Sequence, residues 1–457
     1  MRYVVDSSWI RTGSGGRVVI AGSPLRLLRL TAAGARVASA IEAGADVDPS
    51  SLLDRLLDAG AVHPVPPPRT SGAAGAERSG FGVDDVTVVT PQLGGRVRDD
   101  GRVTVDDGSD PPLAGATVRT EVNHGPAAAR NRGRRRVTTD LVAFVDADVD
   151  TERGGPSPEG SDPPSAGGTS TEPATGAHDD VGGGPPAWLD ALLGHFDDPR
   201  VGLVAPRVVG ESGSPLDLGD EAALVRAGTR VSYVPSAAIV VRCAALDDVG
   251  GFDETLRVGE DVDLVWRLAE AGWRCRYEPR STVWHEPRSG VRARLAQQVT
   301  YGTSAAPLSL RHPHALTPFR SNGWTAASWC LAAVGRPIAA VAVAGASAAA
   351  LVPKLQGVAA TTSLRLATHG HLAAGRQLAD AVRRAWWPIL VAASPFSRRV
   401  RRALAASLVL GARSATRDVA YGVGVWIGMW RCRTSRPIAP TISSWPSRRD
   451  RSTAPPS

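Results

Sequence analysis

Three acidic clusters carry residue types that could do group-transfer chemistry. Asp106-Asp107-Gly108-Ser109 follows the β-branched run 103–105, and Asp146-Ala147-Asp148 directly follows the apolar run Leu141–Val145. Glu260 and Asp261, after Gly259, open a helical pattern with Val262, Val265, Leu268 and Ala269 on one face. In an open α/β sheet, ligands bind in the crevice beyond the carboxyl ends of the strands. There Asp106 or Asp107 can accept hydrogen bonds from a nucleobase imide or a ribose; the same residues can instead close an Asx turn. Asp146 and Asp148 stand two apart on extended chain and so share a face. Two hard oxygen ligands suit a divalent cation, Mg²⁺ or Mn²⁺, with a diphosphate completing the shell. Such a cation neutralises charge developing on a leaving nucleoside diphosphate. Asp261 can act as general base towards an attacking hydroxyl, although acids in a first turn also complement the helix dipole.

The elements that must position these groups alternate in type. Residues 86–89, 103–105 and 141–145 read as buried parallel strands ending in polar residues. A helix is expected from Trp188, apolar at Leu189, Leu192, Leu193 and Phe196, followed by a strand at 201–204. This places an α/β domain over residues 83–302. Within it, residues 151–187 have almost no large apolar side chain and read as a disordered insertion. Ahead of the domain, residues 1–62 read as a small α+β module. Thr31 and Ser50 or Ser51 are its candidate helix caps, and Gly60 ends its second helix. A Pro/Gly/Ser-rich linker over 63–82 follows. Residues 303–457 read as a helical C-terminal region. Residues 324–352 are nearly free of charge, and from Phe396 onward twelve arginines face two aspartates. Basic flanks beside apolar segments suit the cytoplasmic face of the cell membrane; a soluble helical domain with an Ala-rich core accounts for the same composition.

The formal net charge is +7, and Lys354 is the only lysine. Arginine supplies the rest of the positive charge. With the heavy Ala, Gly and Pro usage, this points to base composition of the gene rather than to a nucleic-acid partner. The four cysteines are scattered without a CxxC pair, which argues against a zinc site or a disulfide scaffold. No apolar signal segment is read in residues 1–10.

The order of motifs is more specific than any one of them. Strand-DDGS is followed by Gly125-Pro126-Ala127-Ala128-Ala129-Arg130-Asn131, strand-DAD, Gly250-Gly251-Phe252-Asp253-Glu254, Gly259-Glu260-Asp261 and Val283-Trp284-His285. The succession resembles family-2 glycosyltransferases. The segments Arg276-Tyr277-Glu278-Pro279 and Tyr301-Gly302-Thr303-Ser304, with the opening module, resemble the mycofactocin-system group within them. The resemblance implies a Rossmann-like GT-A domain and inverting transfer of a hexose, glucose, from a UDP-sugar. The implied acceptor is the peptide-derived redox cofactor mycofactocin or its precursor. It implies that Pro91, Asp106, Asp107, Arg130 and Asp146 serve the nucleotide sugar and that Asp146, Asp148 and His285 hold the metal. Asp261 matches the base, and Glu260 shapes the acceptor pocket. Two other readings remain: a lipid carrier or cell-envelope glycan as acceptor, or a catalytically degenerate GT-A scaffold. The family has a crossover helix where only residues 92–101 intervene between Pro91 and Arg102, which sets the nucleotide pocket in question. No QxxRW motif appears, which argues against a processive synthase.

Overall fold

The computed structural model describes residues 1–67, 80–153, 187–211, 213–285 and 290–443. Most of the linker expected over 63–82 and of the insertion expected over 151–187 lies outside them. The chain forms two compact units, residues 1–7 with 40–287 and residues 8–39 with 288–457. Residues 1–62 are therefore divided between the units, and the break expected at 302 falls at 287/288.

At the N-terminus, β1 (Arg2–Val5) precedes a three-stranded antiparallel sheet of β2 (Ile10–Thr12), β3 (Val18–Ala21) and β4 (Arg26–Arg29). Two helices follow, α1 (Ala32–Glu42) and α2 (Ser51–Asp58), and the boundary between units lies within α1. Thr31 Oγ1 accepts from Gly34 N at the start of α1, and Ser50 Oγ from Leu53 N at the start of α2, satisfying amides that a helix start leaves open. β5 (Val62–Val65) pairs with β1, so the first residues of the expected linker are strand. The apolar face of α2 is buried at Leu53, Leu56 and Leu57, while Arg274 donates to Asp58 at 2.6 Å and to Asp198 at 2.6 Å. That charged contact ties α2 into the first unit.

The first unit is built on a nine-stranded mixed sheet. In chain order its elements are β6 (Val86–Gln92), β7 (Val103–Asp107), β8 (Val118–Thr120), α3 (Pro126–Arg134), β9 (Leu141–Val145), β10 (Val149–Asp150) and α4 (Ala187–Leu193). Then come β11 (Val201–Val209), β12 (Ala223–Val225), β13 (Ala238–Arg242), α5 (Cys243–Asp248), α6 (Glu260–Glu270) and β14 (Arg274–His285). Spatial order is β10-β14-β11-β13-β9-β6-β7-β8, with β12 also on β14. β9, β6, β7 and β8 run parallel, while β13 enters antiparallel between β9 and β11. The central strand β9 is buried along its whole length, and Trp188, Leu192 and Phe196 pack against it and its neighbours. α3 lies close on β6 and β7 because of Gly133, where an added Cβ would come within 2.2 Å of Val89.

The short connection from β6 to β7 keeps the sheet intact. The two strands pair in parallel, Val89 opposite Val103 and Gln92 opposite Asp106, and residues 93–102, all described, hold no helix. Side-chain bonds stand in for helix packing. Gln92 Nε2 donates to Gly94 O and Arg96 O, and Gly94 N donates to Ser109 Oγ.

The second unit, beyond β2–β4, is helical: α7 (Val291–Thr303), α8 (Ala305–Arg311), α9 (Gly323–Ala333), α10 (Pro337–Leu351), α11 (Ala360–Ala381), α12 (Trp387–Ala393), α13 (Arg398–Leu410) and α14 (Ala415–Cys432). β15 (Arg320–Asn322) pairs in parallel with β16 (Thr441–Ser443). α7 and α14 cross at glycines. A Cβ on Gly302 would lie 2.0 Å from Tyr421 O, and one on Gly424 1.9 Å from Val299 O. This crossing accounts for the Tyr301-Gly302-Thr303 motif and for α7 joining the second unit. Among the described residues, Pro337–Lys354 is the one helical stretch long and apolar enough to cross a membrane, with mean hydropathy 1.5.

Candidate active site

The strand ends bring the first two clusters to one edge of the sheet. Pro91 lies opposite Val105, beside Asp106, in the β6–β7 ladder. Asp106 is fully buried and accepts from Ser109 N at 2.9 Å and Leu113 N at 3.0 Å. Burial alone raises its pKa, but the bonds from Ser109 and Leu113 outweigh it and hold the carboxyl below its ordinary value. Asp106 thus closes the Asx-type turn that was its alternative role. Asp107 faces the start of α3, accepting from His124 N at 3.1 Å, Gly125 N at 2.7 Å and Thr120 Oγ1 at 3.1 Å. Both carboxylates are engaged by the loops that follow them.

Arg130, on α3, is the hub of the site. It is 2% exposed, donates from Nη2 to Asp146 Oδ1 at 2.7 Å and from Nη1 to Glu260 Oε1 at 3.0 Å. Its guanidinium lies 5.3 Å over the Phe252 ring, which meets Phe144 edge-on at 5.2 Å. Its Nε is buried and has no hydrogen-bond partner, which is costly unless something binds there. Partial burial raises the pKa of Asp146, Arg130 opposes this, and Asp148 and Glu260 add to it.

Asp148 is exposed. Its Oδ2 lies 3.5 Å from His285 Nε2. The cause is β10, which runs antiparallel to β14 with Val149 opposite His285. The pair offers an oxygen and a nitrogen donor, a set that fits a divalent cation whose shell a diphosphate completes. Among the described residues no three His, Cys, Asp or Glu side chains form a metal cluster. Of the expected set, Asp148 and His285 lie together, while Asp146 Oδ1 is on Arg130.

At the start of α6, Gly259 takes φ +81° and turns the chain so that Glu260 and Asp261 enter the helix together. Glu260 is buried on Arg130. Asp261 Oδ1 accepts from Val262 N at 2.8 Å. Burial, and then the charge of Glu260, pushes its carboxyl up to about 7. A carboxylate poised there suits proton abstraction at neutral pH. Asp263 is spent differently, fully buried against Arg267 at 2.7 Å.

One further residue supports the site, Asn131 of the motif at 125–131. Asn131 Nδ2 donates to Phe252 O at 2.8 Å and its Oδ1 accepts from Phe252 N at 2.9 Å, clamping the Gly250-Gly251-Phe252 turn to α3. The available signal was an asparagine inside a helix, where it is a poor helix former. Glu278, from the Arg276-Tyr277-Glu278-Pro279 segment, lies elsewhere. It is buried between His195 at 2.8 Å and Arg280 at 2.7 Å, whose bonds outweigh burial and hold it down to about 2.

Known proteins resemble the chain over most of its length. Residues 221–409 match the family described as Glycosyl transferase family group 2. The chain is 37% identical over 495 residues to the pre-mycofactocin glycosyltransferases of Mycobacterium tuberculosis strains CDC 1551 / Oshkosh and ATCC 25618 / H37Rv, covering 95% of this chain and 96% of theirs. Among solved structures it is similar to the mannosyltransferase PcManGT from Pyrobaculum calidifontis in complex with GDP-Man and Mn2+. That match has 17% identity and a TM-score of 0.39, over 76% of this chain and 87% of that one. It is also similar to S. aureus TarS 1-349, at 16% identity and a TM-score of 0.31, over 49% of this chain and 65% of that one.

Proposed function

The chain belongs to the family-2 glycosyltransferases, in the group of the pre-mycofactocin glycosyltransferases, and from that premise we propose that it moves glucose from a UDP-sugar, with inversion, onto a hydroxyl of mycofactocin or its peptide-derived precursor. The observation that carries this reading is the Arg130 bridge. One buried guanidinium holds Asp146, at a strand end, and Glu260, next to Asp261. Donor-side and acceptor-side acids are thereby set within the span of one side chain.

In this reading Asp261 takes the proton from the acceptor hydroxyl as its oxygen attacks the anomeric carbon opposite the leaving diphosphate. Arg130 holds Glu260 in place through Nη1. Asp148 and His285 would hold Mg²⁺ or Mn²⁺, which supplies charge neutralisation for the leaving group. The parallel β6–β7 register supports a retained nucleotide edge despite the missing helix, against a degenerate scaffold.

The second unit would sit on the cytoplasmic face of the membrane. Pro337–Lys354 is mostly unburied, Ile338, Val341, Phe396 and Val409 are exposed, and α13 carries Arg398, Arg399, Arg401 and Arg402. The sheet β2–β4, with β2 and β4 as its outer strands, supports acceptor or partner recognition by residues 1–62 through strand addition.

The test is transfer of glucose from UDP-glucose to the precursor, with and without chelator. Chelation should abolish turnover and added Mn²⁺ restore it; full turnover in excess chelator would exclude the cation. Transfer to lipid-linked acceptors alone would overturn the peptide-derived acceptor. For the membrane reading, the full chain should float with anionic vesicles and Ile338→Glu/Val341→Glu should float less; equal flotation overturns it.

A further inference from the structure

The second unit contains a cleft that the transferase chemistry does not use. It measures about 670 Å³ and lies between α9, α10 and α11, with β15 at one end. Small residues open it: Ala350 on α10, and Ala367, Gly370 and Ala373 on α11. Gly370 is the clearest case, since a Cβ added there meets nothing within 4 Å. The neighbouring Gly375 is the opposite: Trp329 lies against it, 2.1 Å from where its Cβ would be. The helices are therefore packed tightly beside the cleft and held open along it.

Its walls divide by chemistry. Leu351, Leu366 and the exposed Trp324 give apolar surface, and Arg320 and Arg376 give positive charge. Asp380 also lines the cleft, but Arg383 donates to its carboxylate and offsets its charge. His371 also lines the cleft, bonded to Ser347. Ser347 Oγ donates to Ala344 O at 2.9 Å and lies 2.8 Å from His371 Nε2. With the hydroxyl hydrogen on Ala344, His371 Nε2–H donates to Ser347 and Nδ1 carries the lone pair. Nδ1 is buried with no partner, and burial holds the ring's pKa below its ordinary value, favouring the neutral form.

We infer that this cleft binds an anionic amphiphile of the phospholipid class, its phosphate at Arg320 and Arg376 and its hydrocarbon chain against Leu351 and Leu366. The wall formed by Ser347, Ala350 and Leu351 belongs to the apolar, largely unburied stretch Pro337–Lys354, on the side of that helix away from the exposed Ile338 and Val341. A polar head with an apolar body matches a site that is mostly apolar with a few placed polar groups. The inference is independent of sugar transfer: a chain inactive on UDP-glucose would still bind, and an active one could fail to.

The full chain is titrated by calorimetry with palmitoyl lysophosphatidylglycerol below its micelle concentration, with zwitterionic lysophosphatidylcholine and with glycerol phosphate. One lysophosphatidylglycerol should bind per chain, with lysophosphatidylcholine about tenfold or more weaker, a difference set by the arginines, and glycerol phosphate without detectable binding. Gly370→Leu fills the cleft and should weaken lysophosphatidylglycerol about tenfold or more. Arg376→Gln, at an exposed position, should weaken lysophosphatidylglycerol more than lysophosphatidylcholine and so erase much of the preference for the anionic head. Absence of binding, equal affinity for the two lysolipids, glycerol phosphate binding as tightly as the lipid, or unchanged affinity in a folded Gly370→Leu each overturns the assignment. Should Gly370→Leu not fold, the Arg376→Gln arm decides alone.

Discussion

Asp261 in the first unit and Asp418 in the second are both drawn away from water, and their surroundings leave them in opposite states. Asp418 accepts from Arg383 Nε at 3.0 Å, Arg384 Nε at 2.7 Å and Ser414 Oγ at 2.8 Å. Burial alone raises its pKa, but those partners, Arg384 foremost, outweigh it and hold the carboxyl low. Asp261 has backbone N–H partners and no arginine of its own, because Arg130 is committed to its neighbour Glu260 and to Asp146. It is pushed up to about 7. Saturating a buried acid with cations makes it structural. Withholding the cation and placing a second acid beside it leaves a proton acceptor that works near neutral pH.

The largest expected effect separates these roles directly. Asp261→Asn keeps the volume and removes the proton acceptor, so transfer should slow by on the order of 10²–10⁴. Binding of UDP should stay close to that of the parent chain, and the melting temperature should not fall. Normal turnover, or a loss of UDP affinity without a rate defect, would show that Asp261 is not the base.

Asp418→Asn should do the reverse. It takes from Arg383, which is 4% exposed, the buried one of its two carboxylate partners and leaves only the more exposed Asp380. Removing one member of a buried ion pair costs about 3–5 kcal/mol, read as a fall in denaturation midpoint. The turnover of the molecules that remain folded should match the parent. If the midpoint is unchanged, the Arg383–Arg384–Asp418 network does not hold the helices, and the contrast with Asp261 fails on its structural side.

What the sequence made visible follows from how local each signal is. The strands at 86–92, 103–107 and 141–145 announce themselves by continuous β-branched or apolar runs, so Asp106, Asp107 and Asp146 could be set at strand ends before any coordinates. The helix at Glu260 is legible from its apolar spacing and the glycine before it. Pairings between distant segments left no comparable mark. β10 is two residues long and exists only because β14 lies beside it, yet it sets Asp148 against His285. β5 was hidden in a proline-rich segment for the same reason. The division of residues 1–62 depends on Asp58 finding Arg274, far along the chain. Asp107 shows the limit for a side chain: its position was legible, but its three donors come from Thr120, at the end of the three-residue β8, and from His124 and Gly125 in the turn into α3, which no periodicity marks.

The smallest effect tests why Asp261 is poised at all. Burial is the first cause of its raised pKa and the charge of Glu260 the second, with Arg130 opposing them. Glu260→Gln removes the second cause, keeps the side-chain length and leaves an amide oxygen that can still accept from Arg130. The pKa of Asp261 should then fall. Because a base acts when deprotonated, activity rises as pH climbs through that pKa, so the acidic limb of the rate profile, expected at about 7 in the parent, should move to lower pH. Asp418 predicts the matching control. A carboxyl with a depressed pKa contributes stability that is fully present above its unfolded value and is lost only as pH falls through the folded one, so stability due to Asp418 should stay flat across the neutral range where activity climbs. A limb that stays in place in Glu260→Gln would mean that burial alone poises Asp261. A limb that moves to higher pH would mean that Glu260 serves chiefly to aim Arg130, and that the charge placed beside the base is incidental to its titration.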